Sequence, residues 1–331
     1  MRRIWTALLL LMLCLSCSCS EKGDENRLVI ATWNVQNLFD SVDDGTEYEE
    51  YSSASGWNEE GYRRRLEKAV SAISRIEDLT ILVLEEVEGP RVLDDLVASG
   101  LGKRSLSHYA WAREEGGATS VAILSELPFL DVKVHGVENQ RPILEASVLA
   151  NGQTIGIFAV HFKSRVEGSV ETEPLRLKSM RALKAAVEAY RKVNPQSPVF
   201  LCGDFNACPR QEMEGLGIFT RRADPLWRQK QESGSLLVES APDSLDDAWL
   251  CTWLENAQLK GSYCYQLKWL CYDCILASPA ALDGAGWEAR SFSVLDDPFL
   301  LNENQEPYAW RLFTRTGISD HLPVYMELEW L

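Results

Sequence analysis

The feature that most constrains this chain is a set of short apolar runs, each ending on a polar or charged residue. Residues 28–32 (LVIAT) lead into Trp33-Asn34, residues 80–84 (TILVL) into Glu85-Glu86, residues 154–160 into His161, and residues 198–202 (PVFLC) into Gly203-Asp204. Such runs are too short for helices and rich in Val, Ile and Leu, so they read as buried strands. Residues 119–124, 143–149, 271–277 and 324–328 follow the same pattern, and Ala150-Asn151-Gly152-Gln153 joins two of the runs as a hairpin turn. Helices are expected at 59–76, where Leu66, Val70, Ile73 and Ile76 share a face, at 91–99, and at 174–193. Residues 40–60, rich in Asp, Glu, Ser and Gly, read as a surface loop, whereas 210–260 show no clear period. The expectation is one α+β domain whose sheets form the core and whose helices cover them.

The amino terminus is set apart from that domain. Arg2 and Arg3 precede an apolar run from Ile4 to Leu15, followed by Ser16, Cys17, Ser18, Cys19 and Ser20. This is the layout of a secretory signal peptide, too short to span a membrane comfortably. The stretch Leu13-Cys14-Leu15-Ser16-Cys17 resembles a bacterial lipobox, with Cys14 standing where leucine is usual; Cys17 is the expected lipid-bearing residue and Cys19 its competitor. Residues 1–16 are therefore expected to be a signal peptide, 17–27 a tether and 28–331 the catalytic domain. That places the protein outside the cytoplasm, in the cell envelope on its periplasmic or outer face, held to a membrane by lipid.

The formal charge of −16, from 49 acidic against 33 basic residues, disfavours a tight grip on a long polyanion. A bound divalent cation can still supply positive charge where a phosphate needs it. Six cysteines remain after the signal. Cys271 and Cys274 have metal-ligand spacing but no matching second pair, so the six are read mainly as packing residues, with disulfides left open.

Six segments carry polar residues in or beside the strands: Trp33-Asn34-Val35-Gln36-Asn37, Glu85-Glu86, His161, Gly203-Asp204-Phe205-Asn206, Asp273 within 269–276, and Ser319-Asp320-His321 before the last strand. Each has an ordinary structural use: a capped turn for Asn34 and for Asp204, a salt bridge from Glu86 to Arg91, a hydrogen-bonded structural histidine. A carboxylate ending an apolar strand is nevertheless costly unless something neutralises it. A divalent cation does so for Glu86, and a histidine does so for Asp273.

In this order the segments resemble the endonuclease/exonuclease/phosphatase superfamily, which includes pancreatic-type deoxyribonucleases, abasic-site endonucleases, bacterial sphingomyelinases and inositol polyphosphate phosphatases. Gly203-Asp204-Phe205-Asn206 and Ser319-Asp320-His321-Leu322-Pro323-Val324 are its most specific motifs here, and Gly116-Gly117-Ala118 and Gln140-Arg141-Pro142 fit its middle strands. The resemblance implies a four-layer α/β/β/α sandwich of two packed mixed sheets, with the site at one sheet edge. It implies that Glu86 ligates Mg²⁺ or Mn²⁺ with Asn34 and Asp320 nearby. Asp204 and Asn206 would position the attacking water, Asp273 would orient His321, and His161 and Arg141 would contact the phosphate with Asn206. Two departures stand out: Gln36 replaces an acid, and Glu85 replaces a glutamine, either adding to the metal site or facing solvent.

The expected activity is metal-dependent phosphodiester hydrolysis, with a nuclease as the leading reading and nucleic acid as its partner. The alternatives are a phosphatase or phospholipase C-type enzyme on sugar, inositol or lipid phosphates, and a non-catalytic surface binding protein. A monomer is expected. Arg63, Arg64 and Arg65 read as a solvated helix face. Trp227, Trp249, Trp253 and Trp269 read as core ahead of a ligand platform, and no exposed hydrophobic hairpin is visible.

Overall fold

The computed structural model describes residues 26–101, 106–212, 216–243, 245, 247–256 and 258–331; the expected signal peptide, Cys17 and Cys19 lie outside the described residues.

β1 (Arg27–Leu38) and β2 (Leu79–Val87) show how the apolar runs are used. Leu28, Ile30, Ile81 and Val83 enter one core, while Val29, Ala31, Trp33, Leu82 and Leu84 enter another. Successive side chains of a strand point to opposite faces, so both faces of these strands are dry and the runs are continuously apolar. Burying each such aliphatic side chain contributes roughly 1.5–3 kcal/mol.

The remaining strands are β3 (His108–Arg113), β4 (Ser120–Ser125), β5 (Phe129–Val137), β6 (Gln140–Ala150), β7 (Gln153–His161), β8 (Val199–Asp204), β9 (Phe219–Thr220), β10 (Leu236–Glu239), β11 (Trp249–Leu250), β12 (Tyr263–Tyr265), β13 (Lys268–Leu270), β14 (Asp273–Ala277), β15 (Trp287–Val294) and β16 (Val324–Trp330). The helices are α1 (Glu59–Ile73), α2 (Pro90–Ala98), α3 (Ser169–Val193) and α4 (Trp227–Ser233). The first sheet has the order β15-β16-β1-β2-β4-β3 and the second β5-β6-β7-β8-β14-β11-β10-β9. Both are mixed: β1–β2 and β7–β8 are parallel, while β1–β16 and β8–β14 are antiparallel. The first core fills the space between the sheets and continues beneath Leu177, Met180, Leu183 and Val187 of α3. The second is closed by Tyr62, Ala69 and Ile73 of α1 and Val92, Leu93 and Leu96 of α2. The result is the expected α/β/β/α sandwich.

Several expectations are corrected. The 40–60 segment is not purely a surface loop. It forms two short 3-10 turns, Glu49–Tyr51 and Ser53–Ser55, and buries Tyr51 and Trp57. Tyr51 lies 4.6 Å from the ring of Phe39 and 5.2 Å from that of Trp57, so aromatic contacts hold an otherwise polar stretch. Helix α3 begins at Ser169, before Pro174, because Arg176 ties down its first turn: it donates to Ser169 O at 2.6 Å and Thr172 Oγ1 at 2.7 Å. Arg65 is fully buried, not solvated. It donates to Val35 O and Gln36 O and lies 5.1 Å from the Trp310 ring. Residues 210–260 supply β9, α4, β10 and β11, pieces of two to seven residues with no room for a period. β5 inverts the usual pattern: Leu130, Val132 and Val134 are exposed, while Lys133 and His135 pair with buried Glu145.

Asn151 (φ 47°) and Gly152 (φ 79°) form the expected β6–β7 turn. Gly203 is more demanding. Its φ is 143°, and a Cβ there would sit 1.9 Å from Val160 O on the neighbouring strand. Gly203→Ala is expected to cost more than about 2 kcal/mol of stability, read from urea unfolding. A loss under about 0.5 kcal/mol would show that β7 and β8 do not approach as described.

Candidate active site

The parallel pairs decide where the site lies. β1 and β2 end side by side, bringing Asn34 opposite Glu85, while β7 and β8 bring His161 opposite Asp204. The antiparallel strand β14 starts where β8 ends, so Asp273 faces Asp204 directly across the ladder. Like charges in that arrangement repel, and the loop before β16 supplies the answer. His321 Nδ1 hydrogen bonds to Asp273 Oδ2 at 2.7 Å, with both groups buried.

That loop is pinned to β1. Ser319 Oγ donates to Asn34 O at 2.7 Å and Trp33 Nε1 to His321 O at 3.0 Å. Gln36 Oε1 accepts the backbone N–H of Asp320 at 3.0 Å and of Trp310 at 2.6 Å. Gln36 thus has a positioning use that the sequence comparison registered only as a departure.

Asn34 joins the two sheets. Its amide Nδ2 donates to Glu86 at 3.1 Å and to Asp204 at 3.2 Å, while its Oδ1 accepts from Gln36 N at 2.9 Å. Glu86 has φ 63°, and the β2–β4 register shifts between Glu85 and Val87. This bulge breaks the alternation and turns the carboxylate toward Asn34 and the N–H of Asn37, 3.0 Å away. Arg91 pairs with Asp40 and Glu59 instead. Glu85 neither faces solvent nor lines the pocket. It is fully buried between the sheets, accepting from Thr32 Oγ1 at 2.8 Å. Asn206 is fixed by its N–H to Asp204 Oδ1 (2.8 Å) and its side-chain amide to Phe162 O (3.1 Å).

These residues surround one cavity of about 430 Å³ lined by Asn34, Glu86, Arg141, His161, Asp204, Asn206, Asp320 and His321. The volume is ordinary for a small-molecule site. Asp273 stands behind His321. Arg141 has no hydrogen bond or ion pair among the described residues, which leaves its fork free for an oxyanion. Sequence reasoning missed Arg165, Tyr263, Tyr265 and Tyr272, which also line the cavity; no motif marks them. The four tryptophans do not line it, and Trp249 and Trp253 are core. The β12–β13 hairpin stands at the rim with Tyr265 and Leu267 exposed.

Electrostatics separate the roles. Burial pushes Asp204 up to about 7, with the His321 charge opposing and Asp273 adding to the rise. Burial and then Asp320 raise Glu86, and burial holds Glu85 well above the carboxylate range. Burial pulls His161 well below its ordinary value, aided by Arg141. Burial would lower His321 too, but Asp273, Asp320 and Asp204 outweigh it and hold the imidazole well above its usual range.

Glu86, Asp204 and Asp320 line the cavity beside Asn34, with Glu85 Oε2 and Asp273 Oδ1 buried nearby without a partner, so negative charge gathers where a cation would be stabilised. Asp204, Asp273 and His321 place one ligand-type atom each within 4.8 Å of one another. The Asp273–His321 hydrogen bond already uses two of that trio, so Glu86 and Asp320, beside Asn34, are the better-placed holders.

A family model for the endonuclease/exonuclease/phosphatase family matches residues 29–330. The chain belongs to that family and has the fold of a phosphoesterase. No curated protein matches it significantly. Among solved structures it is similar to TDP2 from Caenorhabditis elegans, with 15% identity, 92% of this chain and 74% of that one covered, and a TM-score of 0.55. It is also similar to an endonuclease/exonuclease/phosphatase family protein from Bacteroides thetaiotaomicron (15% identity, 91% and 97% covered, TM-score 0.55). A mannosyl-6-phosphatase of the same organism gives 15% identity, 91% and 99% coverage and a TM-score of 0.53.

Asp273→Asn removes the charge that raises His321. Its imidazole is expected to titrate at lower pH than in the parent, followed by NMR. An unchanged midpoint would show that Asp273 does not govern His321.

Proposed function

We propose that this protein is a divalent-cation-dependent hydrolase of compact phosphate esters. The observation that carries this reading is the buried Asp273–His321 pair, whose histidine shares one cavity with Glu86, Asp204 and the unpaired Arg141. Arg141, Asn206 and neutral His161 bind phosphoryl oxygens. Asp204, raised to about 7, takes the proton of the attacking water, a value suited to general-base work near neutrality. Asp273 keeps His321 cationic, and His321 offsets the charge that grows on the phosphoryl group. A divalent cation held by Glu86 and Asp320 would polarise a phosphoryl oxygen.

The net charge of −16 and a cavity of only about 430 Å³ favour a small ester over a long polynucleotide. A nuclease remains the second reading, favoured by the fold shared with TDP2, of which one structure from Danio rerio is described with a single-strand DNA product. The test is turnover of hexose phosphates, nucleotides, bis-p-nitrophenyl phosphate, sphingomyelin, plasmid DNA and RNA, with Mg²⁺, with Mn²⁺ and with chelator. We expect metal-dependent turnover of a small ester, lowered at least about 100-fold in His321→Ala. Cleavage of DNA or RNA alone would establish the nuclease instead, and full activity in chelator would sink the cation requirement.

We also propose lipidation at Cys17, which would hold the enzyme on the membrane face of the cell envelope. The motif at residues 13–17 supports it. Cys17→Ser should shift the protein from the membrane to the soluble fraction; retention on the membrane would count against this residue as the anchor.

A further inference from the structure

One wall of the cavity is made of Tyr263, Tyr272 and Arg165, none of which has been given a role toward the substrate. Tyr263 belongs to the β12–β13 hairpin, whose base is bound to the catalytic loop: Tyr263 bridges His321 in an antiparallel pair, and Leu322 N donates to Ser262 O at 2.7 Å. The Tyr263 ring packs 4.6 Å from the His321 ring at 32° and 5.4 Å from the Tyr272 ring at 19°. The Arg165 guanidinium lies 5.6 Å from the Tyr272 ring. Four planar groups therefore stack from the catalytic imidazole to Arg165.

Arg165 is firmly held at the far end. Its Nε donates to Asn206 O at 2.6 Å and its Nη2 to Glu212 Oε1 at 2.8 Å. Its Nη1 has no protein partner among the described residues. The hydroxyls of Tyr263 and Tyr272 likewise make no hydrogen bond there, and burial raises both above the usual tyrosine range, so they remain donors. Neither hydroxyl is among the buried polar atoms without a partner, so both are open to the cavity. Stacking engages the ring faces with one another, so the wall offers the cavity edges, hydroxyls and a guanidinium nitrogen. Such a surface suits the hydroxyls of a saturated ring, which need several donors and acceptors at once, more than the flat face of a base.

We infer that Tyr263, Tyr272 and Arg165 form a subsite for a hydroxylated saturated ring, making the substrate a phosphate ester of a sugar or cyclic polyol. The inference rests on the hydrolase reading above. Tyr263 is in addition a positioning residue for His321.

The experiment compares kcat and KM of the full protein for a hexose 6-phosphate, glycerol phosphate and phenyl phosphate with Mg²⁺. The parent should favour the hexose ester over phenyl phosphate by about 100-fold in kcat/KM. Tyr272→Phe keeps the ring and its stacking, so folding is preserved and checked by thermal melting. It should cut that preference about tenfold, mainly through KM for the hexose ester. Equal preference in the parent, or a Tyr272→Phe variant that lowers all three substrates alike, would overturn the subsite while leaving the hydrolase standing. No turnover of any ester, here or among the wider substrates above, would overturn both.

Discussion

Two aspartates facing each other across a dry β-ladder cannot both stay charged without help, and much of this molecule is arranged around giving it. Asp204 and Asp273 are a direct antiparallel pair. His321 answers one of them and Asn34 the other. His321 is available only because the loop before β16 is fastened to β1 by Ser319, Trp33 and Gln36. Asn34 reaches Asp204 only because the sheets pack closely enough for a short side chain to cross between them. The packing of the sandwich and the neutralisation of its acids are thus one requirement seen from two sides.

The same economy appears in the backbone. Glu86, Asn206, Gln36 and Asn37 all have positive φ, a conformation that costs a non-glycine residue about 1 kcal/mol or more and persists only where the surroundings impose it. They cluster where β1, β2 and β8 end. Regular strands would have carried these side chains to alternate faces; the local breaks turn them toward one cavity.

Much of this was legible in the sequence because each catalytic candidate sits beside the apolar run that places it. A buried strand and its polar last residue are neighbours in the chain, so pattern alone exposes both. Asn34, Glu86, His161, Asp204, Asp273 and His321 were readable for that reason, and the structure brings them together. The tyrosine–arginine wall was not. Its members come from three segments, one of them the β12–β13 hairpin of three-residue strands, and what unites them is stacking, which leaves no spacing behind. Arg65 misled for a related reason: a charged residue in a helix normally faces water, and only Val35 O, Gln36 O and Trp310 make its burial tolerable.

The pairing of β1 with β16 has a consequence for how the protein comes into being. The first and last strands are neighbours in the middle of the first sheet, with Arg27 opposite Glu329 and Thr32 opposite Val324. Contacts so distant along the chain close late, after the local hairpins have formed. With the other strands paired but β16 and the loop before it not yet docked, the first sheet is split at β1 and Asp273 lacks His321. Closing the first sheet and seating His321 on Asp273 are therefore one event in folding, and the site matures only with the sandwich.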